Sequence, residues 1–547
     1  MAQTLVDMTV KNDTVKQGGY LEVFLYINAF IVGFIIMAFE MLGSRYLNPY
    51  FGSGIFTWAS IISTVLSALA AGYFIGGYIA DRKPSLNLIG IIIVATSVWL
   101  GLVPVLADPL FETIFNSIDD VRYGSLISAI LLLFVPLSLL GFYSPYAIRL
   151  MLRATKASGT VSGRVYGIST VGSILGTLVT TFYLIPLIGT RMITYVLFLC
   201  TMLCGLSFLV FGLLEKRGAP GGLGSKVGET AILLLLIFTV SSSAQAASTG
   251  NSATAADALF KLLPFVNPGK KDLIEKIETP YNSIFIYRKG STVAMTFRYG
   301  SNDTLQSVMN LDKPMELVSP YTQMMQVGLV YVHNPEDILM LGLGGGIITR
   351  YIQRYYPETD IEVVELDGGV IDAAKKYFKV EESDKYRITE SDARVYLRRS
   401  KNRYDIIMLD AFREGSVPFH LLTTEFYELV KEDMKEGGCF VVNMVGKNLL
   451  FDSSIKTLRS VFESVDVYIH PVFLNAIIVA YDKPRLTYSE LKDRAEHLQR
   501  EKNFYHAISD VLQLKRDIKL DSSAKLITDD FAPVNAYKYK PGRSVTN

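Results

Sequence analysis

The sequence predicts a two-part chain: an all-α transmembrane bundle of about seven spans, then a Rossmann-like α/β domain preceded by a small β-module. Three observations predict it. Apolar runs dominate the residues up to about 247. The stretch Asp337–Asp367, DILMLGLGGGIITRYIQRYYPETDIEVVELD, reads as strand, glycine turn, helix and second strand ending in Glu365. Beyond it, strands and helices alternate to about residue 485, as a doubly wound sheet requires.

The chain has 547 residues and a formal net charge of +1, so no global field steers it toward nucleic acid. Cys200 and Cys204 fall in an apolar run and Cys439 stands alone, which argues against a disulfide framework or a zinc cluster. Five histidines without an HExxH pattern give no expectation of a metal.

After an N-terminal tail (1–20), seven runs in 21–247 are long enough to cross a bilayer: 21–43, 56–79, 86–107, 124–147, 163–188, 192–214 and 229–247. Gly72-xxx-Gly76 and Gly172-xxx-Gly176 predict seams where helices approach closely. Glu40 is an acid inside a span, and pairing with Arg45 or Arg82 is the expected reason for it. Nine basic residues (Arg82, Lys83, Arg149, Arg153, Lys156, Arg164, Lys216, Arg217, Lys226) lie in alternate loops, against Arg45, Arg122 and Arg191 in the others. This bias puts the N-terminus in the cytoplasm. Seven spans would leave the second half outside, away from a cytoplasmic cofactor supply. The last run, with its apolar core at Ala231–Val240 followed by SSSAQAAS, reads equally as a span, a cleaved span or a surface element.

Residues 248–270 form a linker in which Asp257–Val266 has the pattern of a short amphipathic helix lying on a bilayer. The β-module (271–330) includes YNSIFIYRK and STVAMTFRYG, joined at Lys289-Gly290. In the sheet domain (331–485) the order is strand Ile338–Leu341, the turn Gly342, Gly344, Gly345, Gly346, and helix Ile347–Tyr356. Glu365 and helix Gly369–Phe378 follow, then a strand reaching Asp392 and strand Tyr404–Leu409 ending in Asp410. Helix Thr424–Lys435, a Gly437-Gly438 turn, strand Cys439–Val445, a helix near Ser453–Phe462 and a final pair of strands complete it. An antiparallel pair at the end fits the S-adenosylmethionine-dependent methyltransferase fold better than a dehydrogenase. Residues 486–547 read as a charged tail, helical over Tyr488–Leu514 and irregular beyond it.

Ligands of parallel sheets bind at the carboxyl ends of the strands. Glu365, Asp392 and Asp410 each follow an apolar strand and so face one crevice, where they would serve ribose, adenine amino group and reacting centre. The competing reading makes them caps of the following helices.

LDKP (311–314), PYTQM (320–324), GLGGG (342–346), VELD (364–367), SDA (391–393), YDIIMLD (404–410) and LLTTEFY (421–427) resemble spermidine synthase and its relatives. FEMLGSRYLNPYFG (39–52), GYFIGGYIADR (72–82) and YGISTVGSILGT (166–177) resemble the membrane part of bacterial proteins in which a transporter-like domain is fused to such a synthase. The resemblance implies a multi-pass protein of the bacterial inner membrane and decarboxylated S-adenosylmethionine, or S-adenosylmethionine, as donor. It implies nucleotide contacts from the glycine loop, Glu365, Asp367, Asp392 and Ala393, with Asp410 as base and Tyr321 holding the attacking amine. It also implies no metal and a possible homo-oligomer.

The departures fall on the amine side. The family's loop aspartate is Gly345, the second acid of its Asp-x-x-Asp pair is Arg413, and the glutamate after the tyrosine is Gln323. Putrescine carries two ammonium groups, and each unmatched charged hydrogen bond costs about 1–3 kcal/mol. The expected function is therefore aminopropyl or methyl transfer to an amine or amphiphilic acceptor other than plain putrescine. Two alternatives stand beside it: a non-catalytic binding module that keeps the fold, and a transporter.

Overall fold

The computed structural model describes residues 2–152, 158–216, 272–297, 305–412, 417–446, 448–471 and 475–537. The chain divides into two units, Met1–Thr249 and Gly250–Asn547.

In the first unit, six helices are long and apolar enough to cross a membrane: Leu21–Phe51, Ile55–Arg82, Leu86–Ser117, Val121–Met151, Ser158–Ile188 and Thr190–Leu213. They match the first six expected runs. The seventh, 229–247, and the expected surface helix at 257–266 lie outside the described residues. Both glycine pairs sit at helix contacts. A Cβ on Gly72 would strike the Ser138 carbonyl and one on Gly76 the Phe142 backbone, while Gly172 and Gly176 lie against the carbonyls of Phe30 and Phe34. The expected pairing of Glu40 is not found: among the described residues no ion pair joins it to Arg45 or Arg82. A five-residue step along a helix turns a side chain by about 140°, so Arg45 projects from another face. The Arg82 guanidinium instead lies 3.9 Å from the centre of the Tyr78 ring, one turn back on its own helix.

In the second unit, β1 (Leu273–Glu278), β2 (Ser283–Lys289), β3 (Thr292–Thr296) and β4 (Leu305–Asn310) form an antiparallel meander. Its β2–β3 hairpin closes at the expected Lys289-Gly290, where Gly290 takes a φ of +59° that a side chain would resist.

Eight further strands make one sheet: β5 (Asp337–Leu341), β6 (Asp360–Glu365), β7 (Tyr386–Glu390), β8 (Tyr404–Leu409), β9 (Met434–Val445), β10 (Ser464–Ile469), β11 (Asn475–Tyr481) and β12 (Lys515–Arg516). Their spatial order is β12-β10-β11-β9-β8-β5-β6-β7. The five from β9 to β7 in that order are parallel, and β10, β11 and β12 pair antiparallel. Successive residues of a strand point to opposite faces, so β5 sends Ile338 and Met340 into one core and Leu339 and Leu341 into the other. Both faces are covered, which is why these strands are apolar throughout. Strand order reverses direction between β5 and β8, and a crevice opens there at the carboxyl ends.

One expectation changes. Gly437-Gly438 is not a turn: β9 runs through it, with a bulge in its register against β8 and Gly437 at a φ of +83°. The segment after 485, expected to be helical over Tyr488–Leu514, carries the helices Tyr488–Lys502 and Ile508–Leu512 and packs on the sheet domain. The helix Tyr488–Lys502 buries Leu491, Ala495 and Leu498 in the first core, β12 extends the sheet, and Ala524, Ile527, Val534 and Tyr537 enter the second core.

Candidate active site

The glycine turn after β5 brings backbone, not side chains, to the crevice. Gly342 has a φ of +101° and lies against the Asp410 carbonyl, so any side chain there would displace the neighbouring strand end. The turn is roofed by the β-module, where Ser307 Oγ accepts the Gly345 N–H at 2.7 Å. A Cβ on Gly345 would come within 2.9 Å of both Phe378 and Ser307. The space that an acid would need at this position is filled. We therefore expect Gly345→Asp to cost about 1–3 kcal/mol through overpacking and to leave putrescine a poor acceptor. A thermal melt and an activity assay check both parts.

Glu365, at the end of β6, holds the turn from below. Its Oε2 accepts the Leu343 N–H at 2.9 Å and its Oε1 the Asp367 N–H at 3.0 Å. Burial raises its pKa, against the lowering effect of those amides. Each oxygen keeps a second lone pair, so the carboxylate still fits a ribose diol.

Asp367 is buried and hydrogen-bonded through both oxygens. Its Oδ1 caps the following helix through the Gly369 N–H at 3.0 Å, and its Oδ2 accepts from Thr279 Oγ1 at 2.7 Å and Asn282 Nδ2 at 2.9 Å. It ties the β-module to the sheet and caps the following helix, beside its expected place at the nucleotide. Asp392 also caps a helix, accepting from the Arg394 and Val395 N–H groups at 3.0 and 3.2 Å. Its Oδ2 meets His420 Nε2 at 3.0 Å. Burial alone would raise this carboxyl, but the His420 ring and the two amides outweigh it and hold it below the ordinary range. Ala393, the first residue of that helix, is buried. For Asp392 the capping reading and the crevice reading hold together, since one lone pair of Oδ2 remains.

Asp410 follows β8, the neighbour of β5, and its Oδ1 accepts from Asn443 Nδ2 at 2.8 Å. Asn475 Nδ2 in turn donates to Asn443 Oδ1 at 3.1 Å, which fixes the Asn443 amide with its N–H toward the acid. Burial pushes the Asp410 carboxyl up to about 6, against the lowering bonds from Asn443 and Tyr321. The Tyr321 hydroxyl lies between Asp410 and the Gln306 carbonyl, to which it donates at 3.2 Å. Burial, with the Asp410 charge adding to it, holds that phenol protonated far above the usual range.

Gln323 does not reach the acid: its Nε2 donates to the Leu317 carbonyl at 2.6 Å. Arg413 lies outside the described residues. Sequence reasoning missed His420, Asn443 and Asn475. A single asparagine within the apolar CFVVNMV was the available signal for the second.

Along one sheet edge the chain thus places Asp410, the glycine turn, Glu365 and Asp392 on adjacent strands β8, β5, β6 and β7. At about 4.8 Å per strand the row spans roughly 14 Å, the length of an adenosyl group with its substituent. One end holds a carboxylate able to exchange a proton near neutrality, and the other holds carboxylates with lone pairs to spare.

A spermine/spermidine synthase domain model matches residues 319–479. The polyamine aminopropyltransferase of Vibrio vulnificus is 30% identical over 287 residues, covering 51% of this chain and 96% of the relative. That of Chromobacterium violaceum is 32% identical over 202 residues, covering 36% and 77%. Among solved structures, the spermidine synthase of Thermotoga maritima aligns at 20% identity and a TM-score of 0.37, over 47% of this chain and 94% of that one.

Proposed function

Because this chain belongs to the polyamine aminopropyltransferase family, we propose that it moves an aminopropyl group from decarboxylated S-adenosylmethionine to an amine other than plain putrescine. The observation that supports this reading most is Asp410, raised to about 6 beside the glycine turn and held by Asn443. The bound sulfonium supplies the leaving group. Asp410 accepts a proton from the incoming ammonium, and the freed amine lone pair forms the new C–N bond as the C–S bond breaks and methylthioadenosine departs. Tyr321, protonated at all working pH values and donating to the Gln306 carbonyl, lies beside the acid with its oxygen able to accept from the incoming ammonium, so the protein's task is alignment and one proton.

The acceptor side argues against a diamine held at both ends. Gly345 leaves no room for an acid, Gln323 is committed to Leu317, and Arg413 replaces a family carboxylate. An acceptor with one ammonium and an apolar or anionic remainder suits these residues better.

Two expected outcomes test this. Calorimetry on the full chain in detergent should show decarboxylated S-adenosylmethionine binding at micromolar affinity, weakened at least tenfold in Glu365→Ala, since both an acceptor pair and the support of the turn are lost. Equal binding by the variant removes Glu365 from the site. The pH profile of kcat/KM should fall below about pH 6 with a slope of one, as Asp410 becomes protonated. A flat profile down to pH 5 rejects Asp410 as base.

We further place the second unit on the cytoplasmic face, reading 229–247 as a segment that does not cross. Six described helices are an even number, and the loop charges put the N-terminus inside. A C-terminal green fluorescent protein fusion should glow and a C-terminal alkaline phosphatase fusion should be inactive; the reverse pattern refutes the placement.

A further inference from the structure

Four of the chain's five histidine side chains fall into two pairs with different partners. His420 is bonded to Asp392, and His506 Nε2 accepts the Leu317 N–H at 2.9 Å. His333 and His497 are different: they are exposed, their ring centres are 5.4 Å apart, and both face one carboxylate. His333 Nε2 lies 3.9 Å and His497 Nδ1 3.8 Å from the same atom, Glu501 Oε2. The three ligand atoms all fall within 4.8 Å of one another. We propose that His333, His497 and Glu501 form a surface site for a divalent cation of the zinc class.

The local structure presents these groups together. His497 and Glu501 are four residues apart on the helix Tyr488–Lys502 and so share a face. That helix is fixed at both ends: Thr487 and Glu490 form a capping box, and Asn503 closes it in the left-handed conformation. His333 comes from the loop before β5. Asn334, at a φ of 55°, turns that loop back, and Arg494 on the helix donates to the Tyr331 carbonyl at 3.3 Å. The loop is thereby bound to the same helix one turn before His497. Lys502 Nζ pairs with the other oxygen, Glu501 Oε1, at 3.1 Å and leaves Oε2 to the imidazoles.

Two imidazoles and a carboxylate are a donor set for zinc, nickel or cobalt rather than magnesium or calcium. Metal–ligand bonds of about 2.0–2.1 Å put tetrahedral ligand atoms about 3.3 Å apart. The two histidine–glutamate separations, 3.9 and 3.8 Å, exceed that by about half an ångström and the histidine–histidine one, within 4.8 Å, by at most about 1.5 Å, which rotation of exposed side chains closes, and water fills the remaining position. His333 precedes β5 at its amino end, opposite the glycine turn, so the site is separate from the crevice. Occupied, it clasps the helix Tyr488–Lys502 to the loop that enters the sheet.

Titration of the untagged full chain in detergent with zinc chloride tests the proposal, with cobalt absorption as a second readout. One equivalent should bind at micromolar affinity. His333→Ala and His497→Ala should each weaken it at least tenfold and abolish the cobalt d–d bands, Glu501→Gln should weaken it, and Glu496→Gln, whose carboxylate faces Lys492, should not. Zinc should also raise the melting temperature of the parent and not of the histidine variants. Absence of a stoichiometric site, or binding that the histidine variants share, overturns the site; binding without a rise in melting temperature overturns the clasp.

Discussion

Asp410→Asn lowers aminopropyl transfer by about 10²–10⁴-fold, the usual worth of a positioned general base, and at the same time stabilises the fold. The two effects have one cause. Burial raises the Asp410 carboxyl from its ordinary 3.8 to about 6. A carboxyl whose folded pKa is raised favours the native state most when it is neutral. Its contribution is fully present below the unfolded value and is lost as pH rises through about 6. At pH 7.5 the native state therefore holds an unfavourable charge, worth at most about 3 kcal/mol at 1.36 kcal/mol per pH unit. Asparagine keeps the shape and still accepts from Asn443, without that charge. Stabilities of parent and variant from denaturant melts should run parallel below about pH 4, separate between about pH 4 and 6, and stay a constant distance apart above that. A variant no more stable than the parent at pH 7.5 means that the acid is not held where its proton is useful.

Asp529→Ala should destabilise the second unit by about 3 kcal/mol, near the cost of leaving a buried guanidinium without its partner. Arg394 is 2% exposed and bonds Asp529 in a bidentate pair at 2.6 Å for each contact. The same guanidinium donates to the His420 carbonyl at 3.0 Å and to Thr423 Oγ1 at 3.3 Å. Since the His420 ring bonds Asp392, the C-terminal segment braces the Asp392 end of the crevice through Arg394 and His420. The loss should appear in a denaturant melt, and nucleotide affinity should fall with it. Replacing Arg394 and Asp529 together by methionine and leucine should recover part of the stability, because no unpaired charge then remains. A single variant as stable as the parent would show that the segment merely rests on the surface.

These two variants also mark where the sequence was legible. The glycine turn and the strand-end acids could be read because strand period, strand length and turn chemistry are local. Strand Tyr404–Leu409 and the start of helix Ile347–Tyr355 lie where the pattern puts them. The roles of the acids were less legible. An aspartate that ends a strand also begins a helix, and Asp367 and Asp392 satisfy helix N–H groups whether or not a ligand is near. Only the three-dimensional partners of Asp367, Thr279 and Asn282, show that it also joins the β-module to the sheet. Asn443 escaped because one polar residue in an apolar strand reads as an accident until its partner is known. The C-terminal segment escaped for another reason: Ala524, Ile527, Val534 and Tyr537 reach the core from irregular backbone, with no period to reveal them. The pairing expected for Glu40 failed because charge alone was matched, without the helical angle.

The most direct test is methylthioadenosine release by the purified full chain, given decarboxylated S-adenosylmethionine with putrescine in one series and monoamines of increasing apolar length in another. The account predicts product formation that depends on Asp410, with a monoamine giving the higher kcat/KM. Putrescine as the best acceptor would contradict the reading of Gly345, Gln323 and Arg413. No release with any amine, while the donor still binds, would contradict aminopropyl transfer itself.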